Sequence, residues 1–110
     1  MPRGGNTVEI QVTDLHTKLG QEQDFVLLDV REVTEYEIAN IGGKLIPLGD
    51  LPTRFHELDP EKETVVMCHH GGRSAQACLY LQSRGFKKVL NLSGGIDEWS
   101  ERVDPTIMRY

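Results

Sequence analysis

One stretch of the sequence, residues 64–82, constrains the fold more than any other. Residues 64–67 form a β-rich apolar run that is typical of a buried strand. Residues 75–82 are mostly good helix formers. Between the two lies the loop Cys68-His69-His70-Gly71-Gly72-Arg73-Ser74. The order predicts a cysteine at the end of a strand and a glycine-containing loop that enters a helix, which is where open α/β sheets bind ligands.

This loop has the chemistry of an anion site. Its backbone N–H groups can converge on an anion, and the dipole of the following helix adds partial positive charge. We therefore expect Cys68 to be a thiolate near neutral pH and to act as a nucleophile. Arg73 lies at or just before the first helical turn, where a cation opposes the helix dipole unless an anion lies between them. We expect Arg73 to contact substrate or to brace the loop.

The charges along the chain point in the same direction. Residues 64–96 contain no Asp or Glu but four basic residues, Arg73, Arg84, Lys87 and Lys88, for a charge of +4. The whole chain carries −5, so the remainder carries −9. We interpret this as a basic segment centred on the cysteine in an otherwise acidic protein, suited to an anionic partner.

The rest of the sequence alternates between strand and helix patterns. Strands are predicted at 7–10, 25–30, 44–46, 64–67 and 89–92. Helices are predicted after Thr13 as N-cap, at 34–38, from 51 to about 58 after Asp50 as N-cap, from about 75 to Gly85, and at 96–103, with a turn at 21–24. This alternation predicts a single three-layer α/β/α domain with a mostly parallel sheet of about five strands. We expect a flexible lead-in at 1–6, the domain at 7–103 and a tail at 104–110.

Length and composition exclude several classes of protein. A chain of 110 residues with 38% hydrophobic and 26% charged residues is typical of one soluble domain. The acidic balance argues against a nucleic-acid partner, and no apolar run is long enough for a membrane span or a signal peptide. Two cysteines are too few for a disulfide framework, and a working thiol suits a reducing compartment. We therefore expect a cytoplasmic protein with no membrane partner.

Three landmarks, in this order and spacing, cover nearly the whole chain. They are Asp29-Val30-Arg31-Glu32 after a strand, the loop from Cys68 to Arg73, and Asn91-Leu92-Ser93-Gly94-Gly95-Ile96-Asp97-Glu98-Trp99. In these the chain resembles the rhodanese-like sulfurtransferase domains. Residues 36–48 and the ending Val103-Asp104-Pro105 are similar to a narrower group, which includes rhodanese domains fused to ubiquitin-activating-type adenylating enzymes.

The resemblance implies a thiosulfate sulfurtransferase that needs no cofactor. Cys68 would take a sulfane sulfur from a small donor such as thiosulfate or a persulfide and hold it as a persulfide. It would then pass the sulfur to cyanide in vitro, or to a thiol or protein in the cell. The backbone amides of residues 69–74 would bind the terminal sulfur anion. In the family, six residues from cysteine to arginine mark sulfurtransferases, and related phosphatases carry one more; this chain has six.

Two alternatives remain open: a cysteine phosphatase or arsenate reductase on the same fold, and a partner-binding module that has lost catalysis. The chain also departs from the family at residues 41–47, where many members carry a histidine that is missing here. That departure leaves the role of this segment open.

For each of the remaining candidate residues, a structural role is an alternative to a role in catalysis or binding. His69 and His70 either line the mouth of the loop or are simply exposed, and three adjacent residues rarely converge on one metal ion, so we expect no metal. Asp29 and Arg31 are expected to form polar bridges at the strand ends near the site. Cys78 is expected to be inert core packing.

Overall fold

The computed structural model describes residues 7–21 and 23–110. The lead-in predicted for residues 1–6, and residue 22 within the turn predicted at 21–24, lie outside the described residues. The described part contains a five-stranded sheet in the order β1-β5-β4-β2-β3, and every neighbouring pair is parallel. The strands are β1 Val8–Ile10, β2 Val26–Asp29, β3 Lys44–Leu45, β4 Thr64–Met67 and β5 Val89–Leu92. The predicted fold class is confirmed.

Within residues 7–21 and 23–110, each strand is followed by one of five α-helices. They are α1 Val12–Gly20, α2 Val33–Ile38, α3 Leu51–Arg54, α4 Gly72–Ser83 and α5 Gly95–Arg102. The helix predicted from 51 to about 58 is wrong in its extent, because α3 covers one turn between the 3₁₀ segments Leu48–Asp50 and Phe55–Glu57. Asp50 makes no side-chain cap bond, and α1 is capped at Gln11 rather than at Thr13.

The two faces of the sheet carry separate cores, and β4 shows why. Its side chains alternate between the faces: Val66 joins the core beneath α3 and α4, whereas Val65 and Met67 join the core beneath α1 and α5. All four β4 residues are buried, as expected of a central parallel strand covered on both faces. The result is the predicted three-layer arrangement.

The carboxyl ends of β2, β4 and β5 lie side by side, since these strands are parallel neighbours. Asp29 is paired with Met67 across β2 and β4, so the residues that follow these strands emerge together at one edge of the sheet. Ligands bind at this edge in open α/β sheets. No helix within the described part of the chain combines the length and the apolar character that a membrane crossing requires.

Candidate active site

Cys68 directly follows β4 and is held by backbone N–H groups of its own loop. Its side chain continues the Val66 face, and the residue is 1% exposed. The Sγ atom accepts hydrogen bonds from the backbone N–H of Gly71 at 3.1 Å and of Ser74 at 3.4 Å. Gly71 is the N-cap of α4 and has a φ of 117°, a conformation that favours glycine. The sulfur therefore lies at the N-terminus of α4, where backbone donors and the helix dipole both favour negative charge.

A buried polar network ties the loop to β5. The Ser74 hydroxyl lies 3.3 Å from the Cys68 sulfur and also hydrogen-bonds the side-chain oxygen of Asn91. The Asn91 amide nitrogen in turn donates to the Gly71 carbonyl at 3.2 Å and to the Glu9 carboxylate. Since the amide nitrogen has these acceptors, the Asn91 oxygen is left to face Ser74. This network holds both sides of the loop against the sheet.

The first turn of α5 hydrogen-bonds the backbone carbonyls of the Cys68 loop. The backbone N–H of Ile96 donates to the Cys68 carbonyl at 2.9 Å, and that of Asp97 donates to the His69 carbonyl at 3.1 Å. A Cβ atom on Gly95 would lie 2.4 Å from both of these carbonyl oxygens, and Gly95 has a φ of +59°. Only glycine allows this approach, which explains the second glycine of the Ser93-Gly94-Gly95 landmark.

The anion that faces Arg73 is Glu35. Arg73 lies in the first turn of α4, and its guanidinium donates to the two Glu35 carboxylate oxygens at 2.6 and 2.9 Å. The hydrogen bonds from Arg73 lower the pKa of Glu35 to about 2, and the same pair raises the pKa of Arg73. Glu35 also accepts from the Glu32 backbone N–H in the capping box of α2. Sequence reasoning did not identify Glu35 as part of the site.

Asp29 and Arg31 form the predicted polar bridge. Both side chains are 0% exposed, and the Arg31 guanidinium lies 2.8 Å from an Asp29 carboxylate oxygen. Arg31 also donates to the backbone carbonyls of Ala39 and Glu35. Because each buried charge has several partners, the pair fixes the end of β2 to the middle and the C-cap of α2.

The segment predicted as a tail folds back over the loop. The Tyr110 ring stacks on His69 at a centroid distance of 4.0 Å and an interplanar angle of 8°. Its hydroxyl accepts from Arg31 at 2.8 Å and donates to Glu35 at 2.9 Å. The sequence analysis included Tyr110 in the tail at 104–110 and did not identify it as part of the site.

His69 and His70 stack on each other at 3.9 Å, with the His70 side chain 68% exposed. Burial, together with the neighbouring His70, lowers the pKa of His69. His69, His70 and Asp97 offer three ligand atoms within 4.8 Å of one another. Both Asp97 oxygens, however, accept hydrogen bonds from Arg109. The expectation that no metal binds here stays a prediction.

The basic segment seen in the sequence does not form a basic surface around Cys68, and this part of the sequence interpretation is wrong. Helix α4 has 12 residues, which gives it a length of about 18 Å. Arg84 caps its far end and lies over the Phe55 and Tyr80 rings, and Lys87 pairs with Glu61. Of the four basic residues, Arg73 is the one that contacts the site residues, and it is paired with Glu35.

Cys78 has the surroundings of a packing residue. It is 0% exposed within the core beneath α4, and burial raises its pKa to about 12. Both cysteines are free. Cys78 therefore offers a matched comparison for Cys68, since both are free, buried cysteines of the same core.

Comparison with known proteins identifies the family. The sequence model of the rhodanese-like domain family matches residues 11–102 of this chain. A rhodanese-like/PpiC domain-containing chloroplast protein of Arabidopsis thaliana is 46% identical over 93% of this chain, although the chain spans 37% of that protein. A sulfurtransferase of Allochromatium vinosum is 35% identical, with 90% of this chain and 94% of that protein covered.

Two further matches bear on the fold and on the narrower resemblance. The crystal structure of a rhodanese-related protein from Thermoplasma volcanium superposes with a TM-score of 0.81 at 30% identity, covering 94% of this chain and 99% of that one. An adenylyltransferase and sulfurtransferase of Arabidopsis thaliana is 32% identical over 84% of this chain, which amounts to 24% of that protein. The predicted likeness to domains joined to adenylating enzymes is confirmed.

Proposed function

This chain belongs to the rhodanese-like domain family, and on that premise we propose that it is a single-domain sulfurtransferase that carries sulfane sulfur as a Cys68 persulfide. The observation that carries the proposal is the Cys68 sulfur at the end of β4 with the N–H groups of Gly71 and Ser74 directed at it. The six-residue count from Cys68 to Arg73 also favours sulfur over phosphate.

The first half-reaction loads the cysteine. The Cys68 thiolate attacks the outer sulfur of a donor such as thiosulfate, a bond forms between the two sulfurs, and the sulfur–sulfur bond of the donor breaks. Sulfite leaves with the bonding electron pair, and the enzyme keeps a persulfide anion. No proton or external oxidant is required, since the donor already holds sulfur at the sulfane oxidation level.

The second half-reaction removes the sulfur from Cys68. A nucleophilic acceptor (cyanide in an assay, a thiol or protein in the cell) attacks the terminal sulfur, and Cys68 leaves as a thiolate. Because the loaded enzyme is a covalent intermediate, the two substrates react in separate steps.

The loop is suited to hold the transferred sulfur. A persulfide extends the side chain by one sulfur–sulfur bond of about 2 Å, which moves the terminal atom beyond Sγ. We propose that the backbone amides of residues 69–74 bind this anion, with Gly71 and Ser74 shared between the two sulfurs. In this proposal Asp29 and Arg31 support the site without touching the sulfur.

Steady-state kinetics with thiosulfate and cyanide test the proposal. We expect thiocyanate formation with the parallel double-reciprocal lines of a double displacement. Cys68→Ser should reduce activity at least 1,000-fold, on the order expected for loss of a nucleophile. Cys78→Ser, the matched control, should keep most of it. Equal activity in Cys68→Ser and wild type would contradict the proposal.

The same variants separate the alternatives. Turnover of an aryl phosphate that is lost in Cys68→Ser would indicate that the protein is a phosphatase or arsenate reductase instead. Full biological rescue by Cys68→Ser would indicate a partner-binding module.

A further inference from the structure

Among the residues that the structure describes, three arginines lie around the candidate site, and each one is paired with a carboxylate. Arg31 pairs with Asp29, and Arg73 pairs with Glu35. Arg109 pairs with Asp97, whose backbone N–H contacts the loop. These three pairs sum to zero charge. The loop therefore attracts an anion through its backbone amides, with little help from a net positive charge.

Of the three pairs, Arg73–Glu35 bears most directly on the sulfur. Arg73 lies in the first turn of α4 beside Ser74, whose N–H contacts Sγ at 3.4 Å. The pair is partly solvent-accessible, with side chains 35% and 18% exposed, so it lies where a donor can approach. The charge of Arg73 would act on a bound donor if Glu35 did not offset it.

We propose that Glu35 is a specificity-determining residue, which offsets Arg73 and thereby removes the advantage that a free arginine would give the thiosulfate dianion over donors with at most one negative charge, such as thiol persulfides and thiosulfonates. This inference rests on the proposed sulfur transfer. Its physical basis is that a free cation beside the loop stabilises a dianion more than a monoanion, whereas a neutral ion pair discriminates little between them.

Tyr110 has a positioning role in this arrangement. Its hydroxyl donates to the Glu35 oxygen that also faces Arg73, while its ring is held against His69. The hydrogen bond stabilises the ionised carboxylate and fixes its direction. Tyr110 thus keeps Glu35 directed at Arg73 instead of at solvent.

Two donors of matched chemistry isolate the effect of charge. Thiosulfate carries two negative charges and releases sulfite; methanethiosulfonate carries one and releases methanesulfinate. In each case the Cys68 thiolate takes the terminal sulfur, the donor sulfur–sulfur bond breaks, and its electron pair leaves with the sulfinate or sulfite. The reacting sulfur is the same, so the ratio of the two kcat/KM values reports on donor charge.

The test measures this ratio in wild type and in Glu35→Gln, which keeps an oxygen for the Glu32 backbone N–H. We expect Glu35→Gln to raise kcat/KM for thiosulfate relative to methanethiosulfonate on the order of five- to tenfold, as one uncompensated charge at several ångströms implies. Added salt should reduce this gain, since an exposed charge is screened. Tyr110→Phe should shift the ratio in the same direction by a smaller factor.

Glu57→Gln is the matched control. Glu57 is also held by an arginine, Arg54, which lowers its pKa to about 2, and its other partner is Lys44. This variant removes the same charge and should leave the ratio unchanged.

The outcomes are distinguishable. If wild type loads sulfur from both donors but neither Glu35→Gln nor Tyr110→Phe changes the ratio, the inference is wrong and the proposed function stands. An equal change in Glu57→Gln would also overturn it, because net charge alone would then explain the result. If neither donor loads Cys68 in wild type, the proposed function fails and this inference fails with it.

Discussion

The Cys68 side chain is almost fully buried, yet its sulfur is not surrounded by apolar groups alone. Two backbone N–H groups donate to it at 3.1 and 3.4 Å, while the Ser74 hydroxyl, 3.3 Å from the sulfur, donates its own proton to the Asn91 side-chain oxygen. A buried thiolate without such donors would be strongly disfavoured, since desolvation penalises the charged form. Cys78 shows that opposite case within the same core.

Ser74 is the residue where a single substitution tests the network behind the sulfur. We expect Ser74→Ala to lower the free energy of unfolding by about 1–2 kcal/mol, because the buried Asn91 oxygen loses its donor. Urea unfolding measures this directly. Ser83→Ala is the control, since the Ser83 hydroxyl bonds a backbone carbonyl at an exposed position and should cost less. Equal losses in the two variants would contradict a special role for Ser74.

The site residues that are neighbours along the chain could be predicted from the sequence. Those that the fold brings to the site from distant positions could not. The loop from Cys68 to Ser74 is one local motif between a strand and a helix, so its position could be predicted. Glu35 and Tyr110 lie 38 and 75 residues from their partners at the site. The one available signal for Glu35 was its spacing from Glu32, which is typical of a capping box.

At the scale of elements, the strands were predictable because central parallel strands are continuous apolar runs bounded by polar residues. The start of α4 was placed too late, since Gly72 and Arg73 have no local preference for a first turn. They lie between Gly71, the N-cap, and Ser74, and the N–H groups of these two flanking residues both donate to the Cys68 sulfur. The charge pattern gave a wrong prediction for a related reason: Arg73 and Arg84 belong to one basic stretch of the sequence but lie at opposite ends of α4.

The contact between α5 and the loop predicts the effect of substituting Gly95. Gly95→Ala would place a Cβ atom against two carbonyl oxygens at a positive φ, so we expect a loss of roughly 2–4 kcal/mol in unfolding free energy. Sulfur loading should fall as well, because the loop must move. Gly20→Ala, which meets no atom within 4 Å, is the control and should be close to neutral. If Gly95→Ala were as stable as wild type, the close contact between Gly95 and the two loop carbonyls would be contradicted.

At the scale of the whole molecule, the Glu35 carboxylate joins three distant parts of the chain: α2, α4 and the segment that ends at Tyr110. The pKa of Glu35 is about 2 in the folded protein and 4.5 as its ordinary value. A lowered pKa means that the ionised group stabilises the fold above about pH 4.5, and that this stability is lost as the pH falls towards 2.

This linkage predicts a difference in acid sensitivity. Between pH 6 and pH 3, wild type should lose on the order of 1 kcal/mol more unfolding free energy than Glu35→Gln, after allowance for solvent screening. Urea unfolding at the two pH values measures it. Glu57 is present in both proteins, so its titration cancels. Parallel losses in the two proteins would show that the Arg73–Glu35 pair adds no net stability.

The central claim is that Cys68 carries the sulfur, and mass spectrometry of the intact protein tests it most directly. After treatment with thiosulfate and removal of excess donor, we expect wild type and Cys78→Ser to gain the mass of one sulfur atom, released by cyanide, and peptide mapping to locate it at Cys68. Cys68→Ser should gain nothing. A wild-type protein that takes up no sulfur while Cys68 remains open to alkylation, or an added sulfur located at Cys78, would contradict the account.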